Sequence, residues 1–552
     1  MSTNSSQGET TPVYSFTPPQ YLYTTEAVKQ GEAAAIAQQQ GNLETLLLRA
    51  GQALFQLLQH DGPKRSLWLL IGPGNNGADG WVVARLAAQA GWPIRVFATT
   101  PNTELAQQAR AAFLQAFPQH RVQLLAQLPA ALEQESAPAT IVDALFGAGL
   151  NRPLNAEFAA AVAAVNCWRD RLTTWVAAPV VAVDVPTGLA GDSGEVLGED
   201  AMVADLTLTM VAAKVGLYTG SAAHYVGRRA LAELGIGAEF AEFATPLATL
   251  TNYLSATAGA PRRHPLGKRR ADSHKGQHGQ LLVIGGAVGM AGAVALAGLA
   301  ALRSGVGKVT LVTAAANVQA LHSQQAEWLV TPLAETDPLP ANLATGSADS
   351  IVLGPGLGRS AWSQQIVTQV VTDIEKQVAQ PAALVLDADA LFGLAQTPQL
   401  LQQLPAGTVL TPHPKEAARL LQTTKVEPNR LHTAQALVQL APQVIWVLKG
   451  AGTLVVSGHA QTESAPAIHI NYSGCAALAS AGSGDVLAGL IGSLLAQRQP
   501  TTHTERLELV KFAVWAHGYA AQLAAVDGER GTIASDLMSP LRWLMNPEGL
   551  RR

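Results

Sequence analysis

Cysteine is nearly absent from this chain, which has Cys167 and Cys475 as its only cysteines in 552 residues. Two cysteines can build neither a disulfide framework nor a zinc site made of cysteine ligands, so we expect a reducing compartment and predict a cytoplasmic protein. Aromatic residues make up only 5% and charged residues only 14% of the chain, whereas hydrophobic residues make up 48%. This composition excludes a disordered protein and provides enough apolar side chains for large buried cores.

Long hydrophobic runs and an excess of positive charge are also missing. The longest apolar segments, such as Ala291–Leu302, are too short to cross a bilayer, and the polar N-terminus lacks the apolar stretch of a signal peptide. The net charge is −4 at pH 7. We therefore expect neither membrane nor nucleic-acid binding. The basic cluster at 262–270 is interpreted as a solvated linker, with a nucleic-acid patch as the less favoured alternative.

Repeated units of strand, glycine-rich turn and helix fill most of the chain. Apolar runs such as those at 66–71 and 280–284 end in glycines and lead into helical patterns. This order predicts parallel sheets with helices on both faces. We predict a flexible leader at 1–20, a Rossmann-like three-layer αβα domain at 21–250, a basic linker at 251–272 and a second α/β domain at 273–546.

A polar, glycine-rich loop follows an early strand of the first domain. The segment GPGNNGADG at 72–80 comes after LWLLI and leads directly into a helix. Glycines let a pyrophosphate approach the backbone at a helix N-terminus, and Asn75, Asn76 and Asp79 add donors and acceptors there. An ordinary turn also uses Gly and Asn, but two Asn and one Asp in a single loop favour a nucleotide-binding site.

Two more strand ends in the first domain carry an aspartate. Asp143 precedes a glycine-rich loop at 147–153, and Asp184 precedes a turn that contains Thr187. Either residue alone could cap a helix, but three strand ends that each carry an acid are less easily explained by capping. Asp143, Thr187 and the amide of Asn76 all offer hard oxygen ligands, so they could hold a hard cation such as K⁺.

The segments GPGNNGADG, DALFGAGL and DVPTGL resemble the signature segments of the NAD(P)H-hydrate epimerase family, over about residues 20–240. The resemblance implies that K⁺ is held by Asn76, Asp143 and Thr187, and that Asp184 is the acid–base catalyst. Ala78 stands where the family usually has glycine, which would strain the backbone if that position needed a positive φ. The residues implied to bind the hydrated nucleotide are Asn75, Asn76, Gly77, Ala78, Asp79, Gly147, Ala148, Gly149, Leu150, Asn151, Arg152, Pro153 and Asp184.

The most informative segment of the second domain is a loop of small residues before an apolar helix. Ala481–Gly484 precede Asp485, and successive backbone N–H groups there would form an anion hole at the helix N-terminus. An aspartate beside such a hole is suited to deprotonating a hydroxyl that attacks a phosphoryl group. The alternatives are a helix cap for Asp485 and a purely structural role for His413, which lies between two prolines.

The segments SHKG, GPGLG, LDADAL, TPHPKEA, LKGAGT and GSGD resemble the ADP-dependent NAD(P)H-hydrate dehydratase family over about residues 260–546. The resemblance implies a ribokinase-like αβα fold and phosphorylation of the C6 hydroxyl of the hydrate by ADP, with Asp485 as base and Mg²⁺ on the phosphates. Ala293, Gly356, His413 and Asp485 are implied to contact the hydrate. Lys449, Gly450, Ala451, Gly452, Thr453 and Gly484 are implied to bind the adenine nucleotide.

The two resemblances fit one another chemically. Hydration of NADH or NADPH at C6 gives R and S epimers, the dehydratase family takes only the S form, and an attached epimerase would supply it from the R form. The sequence thus predicts a repair enzyme with NADHX, NADPHX and ADP as small-molecule partners, and an Ala-rich homo-oligomer. The alternatives are a vitamin-precursor kinase fused to a nucleotide-binding module, and a non-enzymatic ligand-sensing first domain.

Overall fold

The computed structural model describes residues 13–61, 66–134, 140–171, 180–254, 264–340, 348–375, 382–458 and 468–546. The chain divides into two compact units, Met1–Leu247 and Ala248–Arg552. This division falls slightly before the boundary expected at residue 250, because Ala248–Thr251 form a strand that pairs with Ile468–Asn471 of the second unit. Thr251, expected to begin a linker, is therefore the last residue of a strand, and residues 255–263 of that linker lie outside the described part of the chain.

Residues 13–20 of the leader expected at 1–20 contact the rest of the first unit. Ser15 exchanges two backbone hydrogen bonds with Leu231, at 2.8 and 2.9 Å. The guanidinium of Arg228 lies 4.3 Å from the centre of the Phe16 ring. Residues 13–20 are thus part of the folded unit, and residues 1–12 lie outside the described residues.

The first unit is built on parallel strands. Their bounds are β1 (Tyr21–Leu22), β2 (Leu67–Ile71), β3 (Ile94–Ala98), β4 (Val122–Leu124), β5 (Thr140–Ala144), β6 (Val180–Val183), β7 (Leu206–Met210) and β8 (Arg228–Ala232). Seven of them form a sheet in the order β4-β3-β2-β5-β6-β7-β8, with every neighbouring pair parallel. From β2 the chain first adds strands on one side and then continues with β5 on the other, so β2 and β5 flank a topological switch point, where such sheets bind ligands.

Helices cover both faces of this first sheet. Side chains alternate along a strand, so Leu69 and Ile71 pack with helices on one face, whereas Trp68 and Leu70 pack with helices on the other. The predicted three-layer αβα architecture is confirmed for this unit. Its helices are Thr25–Gln38, Leu43–Asp61, Asn75–Gln89, Glu104–Ala116, Leu128–Gln134, Ala156–Arg171, Ala222–Tyr225 and Gly237–Phe243.

The second unit also has a mainly parallel sheet. Its strands are β9 (Ala248–Thr251), β10 (Gln280–Ile284), β11 (Lys308–Ala314), β12 (Leu329–Leu333), β13 (Ser350–Leu353), β14 (Ala383–Leu386), β15 (Val409–Leu410), β16 (Ile445–Leu448), β17 (Leu454–Ser457) and β18 (Ile468–Asn471). They follow the order β9-β18-β17-β16-β15-β14-β13-β10-β11-β12. Only the pairs that β17 makes with β16 and β18 are antiparallel. The α/β class predicted for this unit is confirmed.

One face of the second sheet carries an extensive hydrophobic core. Val283 and Val352 pack there against long apolar helices. Two of these helices approach each other closely, because a Cβ atom on Gly489 would lie 2.0 Å from the carbonyl oxygen of Ala297. The helices of this unit are Ala291–Arg303, Val318–Gln324, Ala361–Glu375, Asp389–Gln396, Leu400–Gln403, Pro414–Leu420, Arg430–Leu440, Ser483–Arg498, His503–Ala524 and Met538–Leu544.

Among the described residues, no helix combines the length and the apolar character needed to cross a bilayer. This agrees with the short apolar runs in the sequence. The cytoplasmic location and the homo-oligomer stay predictions.

Candidate active sites

The first candidate site lies at the carboxyl ends of four neighbouring strands of the first sheet, β2, β5, β6 and β7. The loops that follow these strands line a cavity of about 950 Å³. Parallel strands bring their carboxyl ends to one edge of the sheet, which is why segments far apart in sequence meet here. Asn75, Asn76, Asp79 and Asp184 all line this cavity, as the sequence predicts, together with Lys214.

Asp184 forms a buried ion pair that the sequence analysis missed. Lys214 Nζ donates to Asp184 Oδ1 at 2.6 Å, and the two side chains are only 3% and 16% exposed. Burial alone would raise the pKa of the Asp184 carboxyl. The charge of Lys214, its hydrogen bond and those from the backbone N–H groups of Met210 and Ala148 outweigh burial, so the pKa is lowered. Asp184 has a φ of 66°, a strained conformation of the kind that gathers at functional sites.

Asp79 has the opposite electrostatic environment. Burial and the nearby carboxylates of Asp184 and Glu32 raise its pKa well above the ordinary value, against the opposing charge of Lys214. Burial also raises the pKa of Glu32. The environment therefore favours the ionised form of Asp184 and the protonated form of Asp79 in the same cavity, and such a split is typical of paired acid and base groups.

Asp143 and Thr187 are in direct contact, as expected of shared cation ligands. Thr187 Oγ1 donates to Asp143 Oδ1 at 2.7 Å, and its backbone N–H donates to Oδ2 at 2.8 Å. Asp143 is fully buried, and among the described residues it has no cationic partner, so burial raises its pKa to about 6. Asn76 Oδ1 would lie 2.8 Å from a Cβ atom on Gly147, and Asn76 Nδ2 is buried without a hydrogen-bond partner in the described chain. These oxygens fit a monovalent cation chemically.

The remaining predicted residues of this site fall into two groups. Gly77 and Ala78 are buried beneath the loop, and a Cβ atom on Gly77 would lie 2.0 Å from the carbonyl oxygen of Gly72. Ala78 lies inside the helix Asn75–Gln89, so no positive φ is needed there and the alanine causes no strain. The cavity is lined by Gly147, Ala148, Gly149, Leu150 and Asn151, but not by the exposed Arg152 and Pro153.

The second candidate site lies at the carboxyl ends of five consecutive strands of the second sheet, β16, β15, β14, β13 and β10. Asp387 follows β14, and its Oδ1 accepts hydrogen bonds from Lys449 Nζ and Thr411 Oγ1, both at 2.7 Å. A Cβ atom on Gly484 would lie 3.4 Å from Lys449 Nζ. The loop Lys449–Thr453 after β16, which is the predicted nucleotide loop, and the loop of small residues before Asp485 therefore meet around this ion pair.

Asp485 lies in the first turn of the helix Ser483–Arg498, beside the Lys449–Asp387 pair. Burial and the charge of Asp387 raise its pKa to about 7, although Lys449 opposes this shift. Gly482 caps the helix with a φ of 86°, and the first backbone N–H groups of a helix have no partners within it. A carboxyl with a pKa near 7 beside unpaired N–H groups suits a base that acts next to a phosphoryl group.

His413 and Glu416 form a third part of this site. His413 caps the helix Pro414–Leu420, and its Nδ1 accepts hydrogen bonds from the N–H groups of Lys415 and Glu416. Burial and the charge of Lys449 lower the pKa of His413, so its imidazole is neutral near pH 7. Burial raises the pKa of Glu416 to about 7. His413 thus has a structural role, as the alternative in the sequence analysis allowed, and its side chain remains 46% exposed for contact with a ligand.

Ala293 and Gly356 are neighbours, as a shared ligand contact requires. A Cβ atom on Gly356 would lie 3.0 Å from Cβ of Ala293, and the φ of Gly356 is 58°. The loop after β10 is hydrogen-bonded to the loop after β13, because the N–H of Ala287 donates to the carbonyl oxygen of Gly356 at 2.7 Å. Asp389 interacts both with these loops and with Asp485. Its carboxylate accepts a hydrogen bond from the N–H of Gly358 at 2.9 Å, and its charge raises the pKa of Asp485.

The nucleotide loop Lys449–Thr453 is held by an arginine that the sequence analysis missed. Arg430 is only 8% exposed, and its guanidinium donates to the carbonyl oxygens of Leu448 at 2.8 Å, Lys449 at 3.1 Å and Gly452 at 3.3 Å, and also to that of Ala451. Burial lowers its pKa to about 10, so it stays charged at neutral pH. One side chain thereby fixes the backbone of the whole loop.

Comparison with known proteins identifies the family of this chain. A family profile described as YjeF-related protein N-terminus matches residues 43–216, and one described as NAD(P)H-hydrate dehydratase matches residues 281–542. The bifunctional NAD(P)H-hydrate repair enzyme Nnr of Escherichia coli (strain K12) is 37% identical over 538 residues, which cover 96% of this chain and 95% of that protein. The chain belongs to the family of bifunctional NAD(P)H-hydrate repair enzymes. The predicted family is confirmed, and the vitamin-kinase alternative is not favoured.

A second full-length relative agrees with this assignment, and one solved structure is also similar in sequence. The Nnr enzyme of Vibrio cholerae serotype O1 is 36% identical over 534 residues, covering 96% of this chain and 99% of that protein. A solved structure of the ADP/ATP-dependent NAD(P)H-hydrate dehydratase from Bacillus subtilis, co-crystallised with ATP and Mg²⁺, is 28% identical with a TM-score of 0.40, and covers 50% of this chain and 92% of that chain.

Proposed function

We propose that this protein repairs hydrated NADH and NADPH. Its first unit interconverts the R and S epimers, and its second unit dehydrates the S epimer with ADP, giving NAD(P)H, AMP and phosphate. The observation that carries this proposal is the Asp485 carboxyl, with a pKa of about 7, beside the Lys449–Asp387 ion pair at a helix N-terminus. Family membership over 96% of the chain supports both activities.

In the first unit, the two carboxyl groups with opposite protonation states account for epimerisation. The protonated Asp79 donates a proton to the C6 hydroxyl, which leaves as water while the lone pair of the ring nitrogen forms an iminium ion. Water adds to the opposite face, and Asp184, kept ionised by Lys214, accepts its proton. A weak base suffices because water bound to an iminium carbon is strongly acidic. The protein regains its starting state when a proton passes back to Asp79 through solvent.

K⁺ fits the first site through Asp143, Thr187 and Asn76. The buried carboxylate of Asp143, without a cationic partner in the described chain, gains a counter-charge when a cation binds. The bound ion supplies positive charge beside the loop at 147–153. Thr187 also accepts a hydrogen bond from the N–H of Phe146 at 3.0 Å, so the same residue positions both the ion and the start of that loop.

In the second unit, the oxygen of the C6 hydroxyl attacks the β-phosphoryl group of ADP, and Asp485 accepts the proton of that hydroxyl. AMP leaves, with Lys449 close to the developing negative charge. The bond between C6 and the phosphate oxygen then breaks, phosphate departs with the bonding electrons, and C5 loses a proton to water to restore the double bond. Phosphate is a far better leaving group than hydroxide, which is why a kinase-like step can drive a dehydration.

Mg²⁺ belongs with the phosphates in this proposal. Among the described residues, no group of three or more His, Cys, Asp and Glu side chains is placed to hold a metal ion. Mg²⁺ usually binds proteins through one or two carboxylates plus substrate phosphates and keeps several waters. Mg²⁺ would thus be held mainly by the phosphates of ADP, where it would neutralise their charge, and Asp485 and Asp389 are the carboxylates that could bind it from the protein side.

Recovery of the absorbance of reduced nicotinamide from a mixture of R and S NADPH hydrate tests this function. With ADP, Mg²⁺ and K⁺ we expect full recovery, because the S form is consumed while the R form is converted to it. When Na⁺ replaces K⁺, we expect rapid recovery of the S fraction only, since the cation lies in the first unit. Absence of ADP-dependent recovery would show that the repair function is wrong.

Arg430 is expected to position the nucleotide loop. In Arg430→Met, the carbonyl groups of the loop lose their shared donor, so we expect the KM for ADP to rise about tenfold or more, a loss of about 1.4 kcal/mol in binding, with a smaller change in kcat. Arg430→Lys should recover part of this loss, because an ammonium reaches fewer carbonyl groups. Steady-state kinetics with varied ADP measure both constants.

The matched control for this prediction is Lys425→Met, which removes an exposed cation from the same part of the chain. Thermal unfolding of each variant reports whether the fold is retained. A lower kcat with an unchanged KM for ADP in Arg430→Met would contradict the positioning role.

A further inference from the structure

A second large cavity lies in the second unit, and its lining is strongly basic. Its volume is about 780 Å³, and none of the described residues that line it carries a carboxylate. The cationic residues come from separate parts of the chain, although the whole protein has a net charge of −4. Part of the basic cluster that the sequence analysis interpreted as a linker lies here. The cations that line it are Lys268, Arg269, Arg270, Arg303, Arg498 and Arg542, and of these Arg270 is paired with the nearby carboxylate of Asp272 at 2.7 Å.

This basic cavity is separate from the candidate dehydratase site. The helices Ala291–Arg303 and Ser483–Arg498 begin beside Ala293 and Asp485, and both end at the basic cavity. The second of these helices has 16 residues, so its two ends are about 24 Å apart at about 1.5 Å per residue. A ligand in the basic cavity would not touch the reacting groups.

Helix capping accounts for Arg269 but not for Arg303, Arg498 and Arg542. Arginines near helix C-termini often bind the last carbonyl groups, but here other donors do so. Gln497 Nε2 donates to the carbonyl oxygen of Ser304 at 3.0 Å, and Arg269 donates to that of Gly305. Among the described residues, the guanidinium groups of Arg303, Arg498 and Arg542 have no hydrogen-bond or ion-pair partner.

The positive charge in this cavity acts on its neighbours. Burial lowers the pKa of His278, which lines the cavity, and the charges of Arg269 and His274 lower it further. Concentrated charge of one sign destabilises the folded state through self-repulsion and raises the local concentration of ions of opposite sign. An anion that binds here would relieve that repulsion.

We propose that this cavity binds a small polyphosphate anion, a free or nucleoside-bound di- or triphosphate, at a site distinct from both candidate active sites. Guanidinium groups match phosphate geometry and bind it through two parallel hydrogen bonds. The volume falls within the range of small-molecule sites and far exceeds what one phosphate group needs. Leu302 and Met545 add apolar surface for a base or sugar.

Isothermal titration calorimetry of the full-length protein with inorganic triphosphate, in the absence of Mg²⁺, tests this site. In Arg303→Gln/Arg498→Gln we expect at least tenfold weaker binding than in the wild type. Arg121→Gln/Lys425→Gln removes the same charge from exposed positions elsewhere and should bind as the wild type does. Lys449→Met, altered in the candidate dehydratase site, should also retain binding. Comparison of ATP with inorganic triphosphate distinguishes a nucleotide from a free polyphosphate.

Three results would overturn the proposal. They are wild-type affinity in the cavity variant, an equal loss in the control variant, and loss of binding in Lys449→Met. The first two would indicate general surface charge, and the third would place the anion in the dehydratase site. Tighter binding of a single-stranded oligonucleotide than of triphosphate would also contradict a small-anion site. Because no turnover is measured, these outcomes are independent of the proposed repair function.

Discussion

Replacement of Asp485 by Asn is expected to lower the kcat of ADP-dependent NADPH recovery by about 10³-fold, within the range for loss of a general base. The amide keeps the size of the side chain but cannot accept the proton of the C6 hydroxyl. The first unit does not use Asp485, so interconversion of R and S hydrate, followed by chromatography, should be unchanged. Asp337→Asn, an exposed aspartate of the same unit, is the matched control.

The pH dependence of dehydration is a second test of Asp485 as the general base. The pKa of Asp485 is about 7, and a general base acts only when deprotonated. The rate of dehydration should therefore fall as the pH drops below about 7 and level off above it. The residual activity of Asp485→Asn should not show this fall in rate at acidic pH. A normal rate in Asp485→Asn, or an unchanged acidic limb, would remove Asp485 from the reaction.

Removal of either partner of the Asp184–Lys214 pair is expected to lower the rate of epimerisation by about 10²-fold or more. Asp184→Asn suits the backbone, since asparagine tolerates a positive φ. Lys214→Met leaves a buried carboxylate without its partner, which is expected to destabilise the unit by about 3–5 kcal/mol. In both variants the second unit should still consume the S hydrate with ADP, which separates loss of the epimerase from loss of the whole protein.

The double variant Asp184→Asn/Lys214→Met distinguishes a catalytic pair from a structural one. With both charges gone, thermal stability should return toward that of the wild type, because no buried charge remains unpaired. Epimerisation should stay lost. Recovery of epimerase activity together with stability would show that the pair only holds the fold, and the proton-transfer role of Asp184 would be wrong.

Several site residues could be read from the sequence because chemistry and spacing lie within single segments. Asp143, Asp184 and Asp485 each stand at a strand end or helix start with glycines nearby, and parallel strands bring such ends to one edge of a sheet. The concern about Ala78 arose because the local pattern does not show where the loop ends and the helix begins. The structure places Ala78 inside the helix, where alanine is favourable.

Lys214 and Arg430 were missed because neither has a local signal. Lys214 is a single lysine after β7, and its ion pair forms with a carboxylate 30 residues earlier. Arg430 lies in a helix, and the carbonyl groups that it binds follow after 18 to 22 residues. A lysine that follows an apolar strand at the same sheet edge as the acids was the one available signal. No pattern marks an arginine that binds backbone carbonyl groups.

The sequence by itself determined the two α/β units and the family, and it indicated some of the acids of the candidate sites, since hydrophobic runs, glycine-rich turns and motif order are local properties of the chain. Only the tertiary structure decided which charges meet. It paired Lys214 with Asp184, fixed the nucleotide loop with Arg430, and gathered Arg303, Arg498 and Arg542 at one basic cavity. The physical reason is that protonation and ligand binding depend on burial and on charges in space, and these are set by packing between elements distant in sequence.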